Sequence, residues 1–152
     1  MMFMTNNIFI DSSVLIETYK GNKVKFYKSL FSGIDNKFFI NDIVLSEYLY
    51  FILGFHTGIS PLTMQQKKVI GSTINGETAQ LNILKEFHFL SGNQSFLSEV
   101  PQLMAKYNLL PNDATILATC KLHRNKLASH DSDFIFPCRQ QNIELIRDDS
   151  DS

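Results

Sequence analysis

Apolar and polar positions alternate along this chain in two rhythms. Short continuous apolar runs occur at Asn7-Ile8-Phe9-Ile10, Lys37-Phe38-Phe39-Ile40-Asn41, Phe87-His88-Phe89-Leu90, Lys126-Leu127-Ala128-Ser129 and Ile143-Glu144-Leu145-Ile146. Runs of this kind read as strands, and the most continuous of them as strands covered on both faces. Between them lie stretches with helical spacing. One follows Asp11-Ser12-Ser13, a second spans Val24 to Phe31, and a third spans Ile43 to Phe55 with Asp42 as its expected cap. Pro61 opens a fourth, expected to run to about Ile70. Phe96 to Tyr107 and Pro111 to Leu122 supply two more, the last strongly apolar. The stretch from Gly71 to Leu84 follows neither rhythm. Strands alternating with helices predict an α/β fold with a largely parallel sheet and helices on both faces. In such sheets ligands gather at the carboxyl ends of the strands, and Asp11 and Asp131 both stand just after a predicted strand.

Composition narrows this picture. The 152 residues suit one domain, expected over 1–147 with an acidic tail at 148–152. Apolar residues make up 44% and charged residues 19%, a globular balance. The formal net charge of −1 provides no global attraction for nucleic acid, so an RNA contact would need a local basic patch or bound cations. Cys120 and Cys138 fit no zinc spacing and read as reduced thiols. No signal peptide is visible and no run reaches the roughly 18 apolar residues of a membrane span, so a cytoplasmic location is expected.

The chemistry lies in the acids. Asp11 ends an apolar strand, Glu47 sits in Ile43-Val44-Leu45-Ser46-Glu47-Tyr48-Leu49-Tyr50-Phe51, and Asp113 opens an apolar helix. Asp131 and Asp133 belong to Ser129-His130-Asp131-Ser132-Asp133-Phe134. Carboxylates in apolar surroundings are costly unless paired or bound to a cation. No Lys or Arg lies between Asp42 and Tyr50 or between Asn108 and Thr119. If these carboxylates converge, a divalent cation relieves their repulsion, and oxygen ligands suit Mg²⁺ or Mn²⁺. Taken singly, each acid also has a structural reading. Asp11, Asp131 or Asp133 fits a helix cap, Asp113 fits a first helical turn, and Glu47 fits a solvent contact or a distant Lys.

Four segments, in this order, resemble the PIN-domain family, in particular the single-domain VapC-type toxins of toxin–antitoxin pairs. They are Phe9-Ile10-Asp11-Ser12-Ser13-Val14-Leu15, then Ser46-Glu47, then Tyr107-Asn108-Leu109-Leu110-Pro111-Asn112-Asp113-Ala114, then Ser129 to Phe134. The third is the most specific, and the likeness runs from about Ile8 to Ile146. The resemblance implies a three-layer α/β/α sandwich and Mg²⁺- or Mn²⁺-dependent cleavage of RNA. It implies a homodimer inhibited by a small antitoxin. It makes Asp11, Glu47, Asp113 and Asp131 the acidic quartet, Asp133 a possible fifth metal ligand, and Ser12 or Ser13 a substrate-orienting hydroxyl. Two departures stand out: an extended section around Ser60–Leu84, and His130 where an Arg would be expected beside the fourth motif.

Two basic clusters, Lys20/Lys23/Lys25/Lys28 and Lys121/Arg124/Lys126, are either solvated helix faces or phosphate contacts. The principal rival is a non-catalytic PIN-like protein that only binds RNA or a partner. A receiver-like phosphotransferase would need an acidic pair after one strand and a late Lys, and neither is evident.

Overall fold

The computed structural model describes residues 6–148, so the tail expected at 148–152 lies outside the described residues apart from Asp148. Five parallel strands form one sheet: β1 (Asn7–Ile10), β2 (Lys37–Ile40), β3 (His88–Phe89), β4 (Lys126–Ala128) and β5 (Leu145–Ile146), in the order β3-β2-β1-β4-β5. β1 runs down the middle. Ile8, Phe9 and Ile10 are all buried, which is why its sequence is continuously apolar rather than alternating.

α1 (Ser12–Tyr19) and α2 (Val24–Phe31) connect β1 to β2. α3 (Asp42–Phe55), α4 (Pro61–Gln66), α5 (Ile70–Gly76) and α6 (Thr78–Leu84) lead on to β3. α7 (Phe96–Tyr107) and α8 (Pro111–His123) cross back over to β4. A 3₁₀ turn (Ser132–Phe134) and α9 (Ile135–Gln140) then lead to β5. α1 packs on α3 and α7 on α8. α8 is apolar nearly all round because Ala114 and Ile116 to Cys120 are all buried. Both cysteines are free and buried, and burial pushes the Cys138 thiol up to about 12. Among the described residues, no helix is long and apolar enough to cross a membrane.

Two local expectations are corrected and one ambiguous stretch is resolved. Asn41, not Asp42, caps α3: its buried side chain accepts from the Val44 amide at 3.0 Å, while Asp42 lies in the first turn. The helix opened by Pro61 ends at Gln66, because Lys68 adopts a left-handed φ of 58°. Gly71 to Leu84, patternless in sequence, is the main part of two short helices, α5 and α6, which bury no residue fully. Glu77, between them, anchors this section: it accepts from the Tyr19 hydroxyl at 3.1 and 3.2 Å and lies 3.4 Å from His56 Nε2.

The cap assignment is testable. Asn41→Ala should cost about 1 kcal/mol, lowering Tm by about 2–4 °C in a chain of this size. Asp42→Ala should shift Tm by less, and thermal unfolding of the two variants side by side checks the order.

Candidate active site

Chain order reverses between β1 and β4, since the strands to one side of β1 come earlier in sequence and those to the other side later. Such a switch point opens a crevice at the carboxyl edge of a parallel sheet. Register fixes what stands there. Ile10 pairs with Ala128, so Asp11 and Ser129 are the next residues out of two adjacent strands.

Asp11 is buried and occupies the N-cap position of α1, yet its side chain caps nothing. One oxygen, Oδ2, instead accepts from the hydroxyls of Ser13 and Ser129, each at 2.7 Å. Each hydroxyl in turn accepts a backbone amide at 3.0 Å, from His130 for Ser13 and from Asp131 for Ser129. Two hydroxyl relays thus tie the loop after β4 to the carboxylate after β1. Each Ser uses its one proton on Asp11 and its lone pairs on the loop.

Glu47 projects from α3 and has both oxygens engaged. Ser12 Oγ donates to Oε2 at 2.7 Å and Asn112 Nδ2 donates to Oε1 at 3.0 Å. With Asp42, Ile43 and Ser46, these two residues line a cavity of about 340 Å³. Asp113 stands in the first turn of α8, half-buried, directly after Asn112. Asp131 follows β4, and its Oδ1 caps the 3₁₀ turn by accepting from the Asp133 amide at 2.8 Å.

Oxygens of Asp113, Asp131 and Asp133 all lie within 4.8 Å of one another. Asp11 and Glu47 lie outside this tight group but within electrostatic reach of it. The Asp113 carboxyl is pushed up to about 6, first by burial and then by the negative charges of Asp131, Asp11, Glu47 and Asp133, in that order. The four other sequence-predicted acids therefore all bear on Asp113. Among the described residues none of the five forms an ion pair with Lys or Arg. The donor set is made of hard oxygens, which fits Mg²⁺ or Mn²⁺ and would not suit a soft, thiolate-preferring ion.

Ser12 and Ser13 prove to be contacts of the acids themselves, through Glu47 and Asp11. Ser129 and Asn112, quoted in the motifs without a role, hold the same two carboxylates. Their signal in the sequence was only adjacency to an acid. His130 hydrogen-bonds through Nε2 with the Tyr27 hydroxyl, and burial followed by the Lys23 charge keeps its pKa below the ordinary histidine value. Four of the seven cations in the basic clusters are held in ion pairs: Lys20 with Glu17, Lys23 with Asp148, Lys121 with Glu99 and Lys126 with Glu144.

An acid whose folded pKa is raised favours the fold most while it is protonated, and this contribution is lost as pH rises through about 6. At pH 7 without divalent ions, Asp113→Asn should therefore stabilise the protein by about 1 kcal/mol after solvent screening, or about 2–4 °C in Tm. The gain should shrink between pH 7 and pH 5. Thermal melts of both proteins in chelator across that range measure it.

Comparison with known proteins gives the family. Residues 8–136 match the family model of the PIN domain. Ribonuclease VapC6 of Methanocaldococcus jannaschii is 35% identical over 154 residues, covering 94% of this chain and 98% of that protein. Ribonuclease VapC2 of the same organism is 35% identical over 133 residues, covering 85% and 87%. Among solved structures, a toxin–antitoxin complex from Klebsiella pneumoniae superposes with a TM-score of 0.60 at 21% identity, over 84% of this chain and 90% of that one. A family match over most of the chain, a parallel sheet with acids at its switch point, and near full-length relatives lead to one assignment: this chain belongs to the PIN-domain family.

Proposed function

We propose that this protein is a divalent-metal-dependent endoribonuclease, the toxin of a toxin–antitoxin pair. The observation that carries this reading is the grouping of Asp113, Asp131 and Asp133 within 4.8 Å of one another, with Asp11 and Glu47 in electrostatic reach and no Lys or Arg ion pair on any of the five among the described residues. The names of the two archaeal relatives support the nuclease class and an RNA substrate. The Klebsiella complex supports a small antitoxin partner. Homodimer formation comes from the family resemblance and is part of the same proposal.

In this reading Asp113, Asp131 and Asp133 hold Mg²⁺ or Mn²⁺, with Asp11 and Glu47 flanking the group. The bound ion supplies water activation and stabilisation of charge on the phosphoryl oxygens. The remaining chemistry belongs to the chain. Ser13 and Ser129 both donate to Oδ2 of Asp11 and so fix the orientation of its carboxylate. Ser12 and Asn112 clamp Glu47, whose remaining lone pairs orient water and accept its hydrogen bond. Asp11, Glu47, Asp113 and Asp131 are thus the proposed catalytic acids, and Ser12, Ser13 and Ser129 their positioning residues.

Asp11→Asn and Asp113→Asn should each bring RNA cleavage in Mg²⁺ or Mn²⁺ down to background. Ser129→Ala should slow it by about ten- to a hundredfold. A chelator should stop the wild type. Mn²⁺ at about a hundred times its Kd should stabilise the wild type by about 2.7 kcal/mol, a rise of roughly 5–10 °C, and this rise should be absent in Asp113→Asn. Cleavage of a cellular RNA pool with mapping of the cut ends, beside thermal melts, tests both. Full activity in both Asn variants would sink the proposal. A metal-induced rise without cleavage would favour a binding-only protein.

A further inference from the structure

A nuclease of net charge −1 must hold its RNA somewhere, and four of the seven cations in the two basic clusters (Lys20, Lys23, Lys121 and Lys126) are paired within the fold. A different surface remains. β5 is an edge strand, and along it lies a cavity of about 460 Å³ whose charged lining is Arg139, Glu144 and Arg147. Glu144 is neutralised by Lys126 at 3.1 Å, so the charge left in the groove is that of the two arginines. Arg139 is exposed and, among the described residues, has no side-chain partner. Ile135, Ile143, Leu145 and Ile146 add apolar lining to the groove.

Register joins this groove to the acids. Ile10 pairs with Ala128 and Ala128 with Ile146, so Asp11, Ser129 and Arg147 leave three adjacent parallel strands at one level. Two strand spacings set the backbones of Asp11 and Arg147 roughly 10 Å apart. The Arg147 guanidinium donates to the His130 carbonyl at 3.4 Å, one residue before Asp131. An Arg therefore does reach the loop of the fourth motif, supplied by the neighbouring strand rather than by the motif.

We infer that the groove along β5 binds the backbone of single-stranded RNA next to the scissile phosphate, with Arg147 and Arg139 contacting successive phosphates away from the acids. The inference rests on the ribonuclease reading and adds the path of the strand. A planar guanidinium fork matches phosphate oxygens, and the apolar side chains in the lining offer contact to bases.

The test is binding with cleavage switched off. Fluorescence anisotropy of a labelled mixed-sequence RNA of about twelve nucleotides is measured in EDTA between about 50 and 200 mM salt. Arg139→Gln/Arg147→Gln should weaken binding about tenfold or more and reduce the magnitude of the salt slope by about 1.4, two phosphates at about 0.7 each for a single strand. Because Arg147 also braces the His130 loop, Arg139→Gln alone serves as the variant with no bond to break, and it should remove about half of the slope change. Lys25→Gln/Lys28→Gln should leave both quantities as in the wild type. Wild-type affinity and slope in the Arg139→Gln/Arg147→Gln variant overturn the groove, while wild-type RNA cleavage persisting in Mn²⁺ leaves the ribonuclease reading intact. Unchanged RNA binding together with weakened binding of a Glu-rich decapeptide overturns it in favour of a protein partner. A wild type that neither binds nor cleaves RNA overturns both readings.

Discussion

Parallel strands deliver every one of their carboxyl ends to the same edge of a sheet, and this constraint organises the molecule. β1 and β4 lie side by side at the reversal of strand order, so the residues that follow them share one crevice. Asp11, Ser129 and Asp131 reach it from the strand ends, Asp113 from the first turn of α8, and Glu47 from α3. No loop has to be long or strained to bring them together. Among the described residues no Lys or Arg pairs with these acids, and burial together with their negative charges raises the pKa of Asp113.

Most of the framework was legible in the sequence because its period is strong. β1 is three consecutive buried apolar residues, and α8 is apolar through the whole of its buried face. Where the period is weak, reading failed for identifiable reasons. α5 and α6 bury nothing fully, so no apolar stripe marks them, and Gly71 and Gly76 lower helix propensity further. Asp42 and Asn41 are both good capping residues, and only the backbone decides between them: Asn41 is extended and buried, with its side chain turned to the Val44 amide. β5 is shorter than its apolar run because pairing with β4 spans only Leu145 and Ile146.

The acids of the site were legible as candidates, and the structure gathers Asp113, Asp131 and Asp133 within 4.8 Å of one another, with Asp11 and Glu47 within electrostatic reach. What the sequence could not show is how each is held. Asp11 had an equally good reading as a helix cap. That reading fails on one geometric fact: its oxygen is taken by Ser13 and Ser129, 118 residues apart from Asp11 in the second case. A contact of that separation leaves no periodic trace. The same holds for Asn112 on Glu47 and for Arg147 at the His130 carbonyl, both of which depend on packing between elements distant in the chain.

The hydroxyl relays explain why serines, rather than charged donors, surround these carboxylates. A Lys or Arg on Asp11 would cancel the negative charge that a cation needs and would lower the carboxylate's ligand strength. Serine fixes the orientation while leaving the charge in place, since a neutral hydrogen bond contributes about 1 kcal/mol and carries no net charge. Ser13 and Ser129 converge on the same oxygen, Oδ2, so neither hydroxyl occupies the other oxygen. The loop bearing Asp131 is bound to the same two hydroxyls through its amides, so a shift of Asp11 would move Asp131 with it. The acids are thereby held as one unit whose geometry is set by neutral contacts and whose charge remains available.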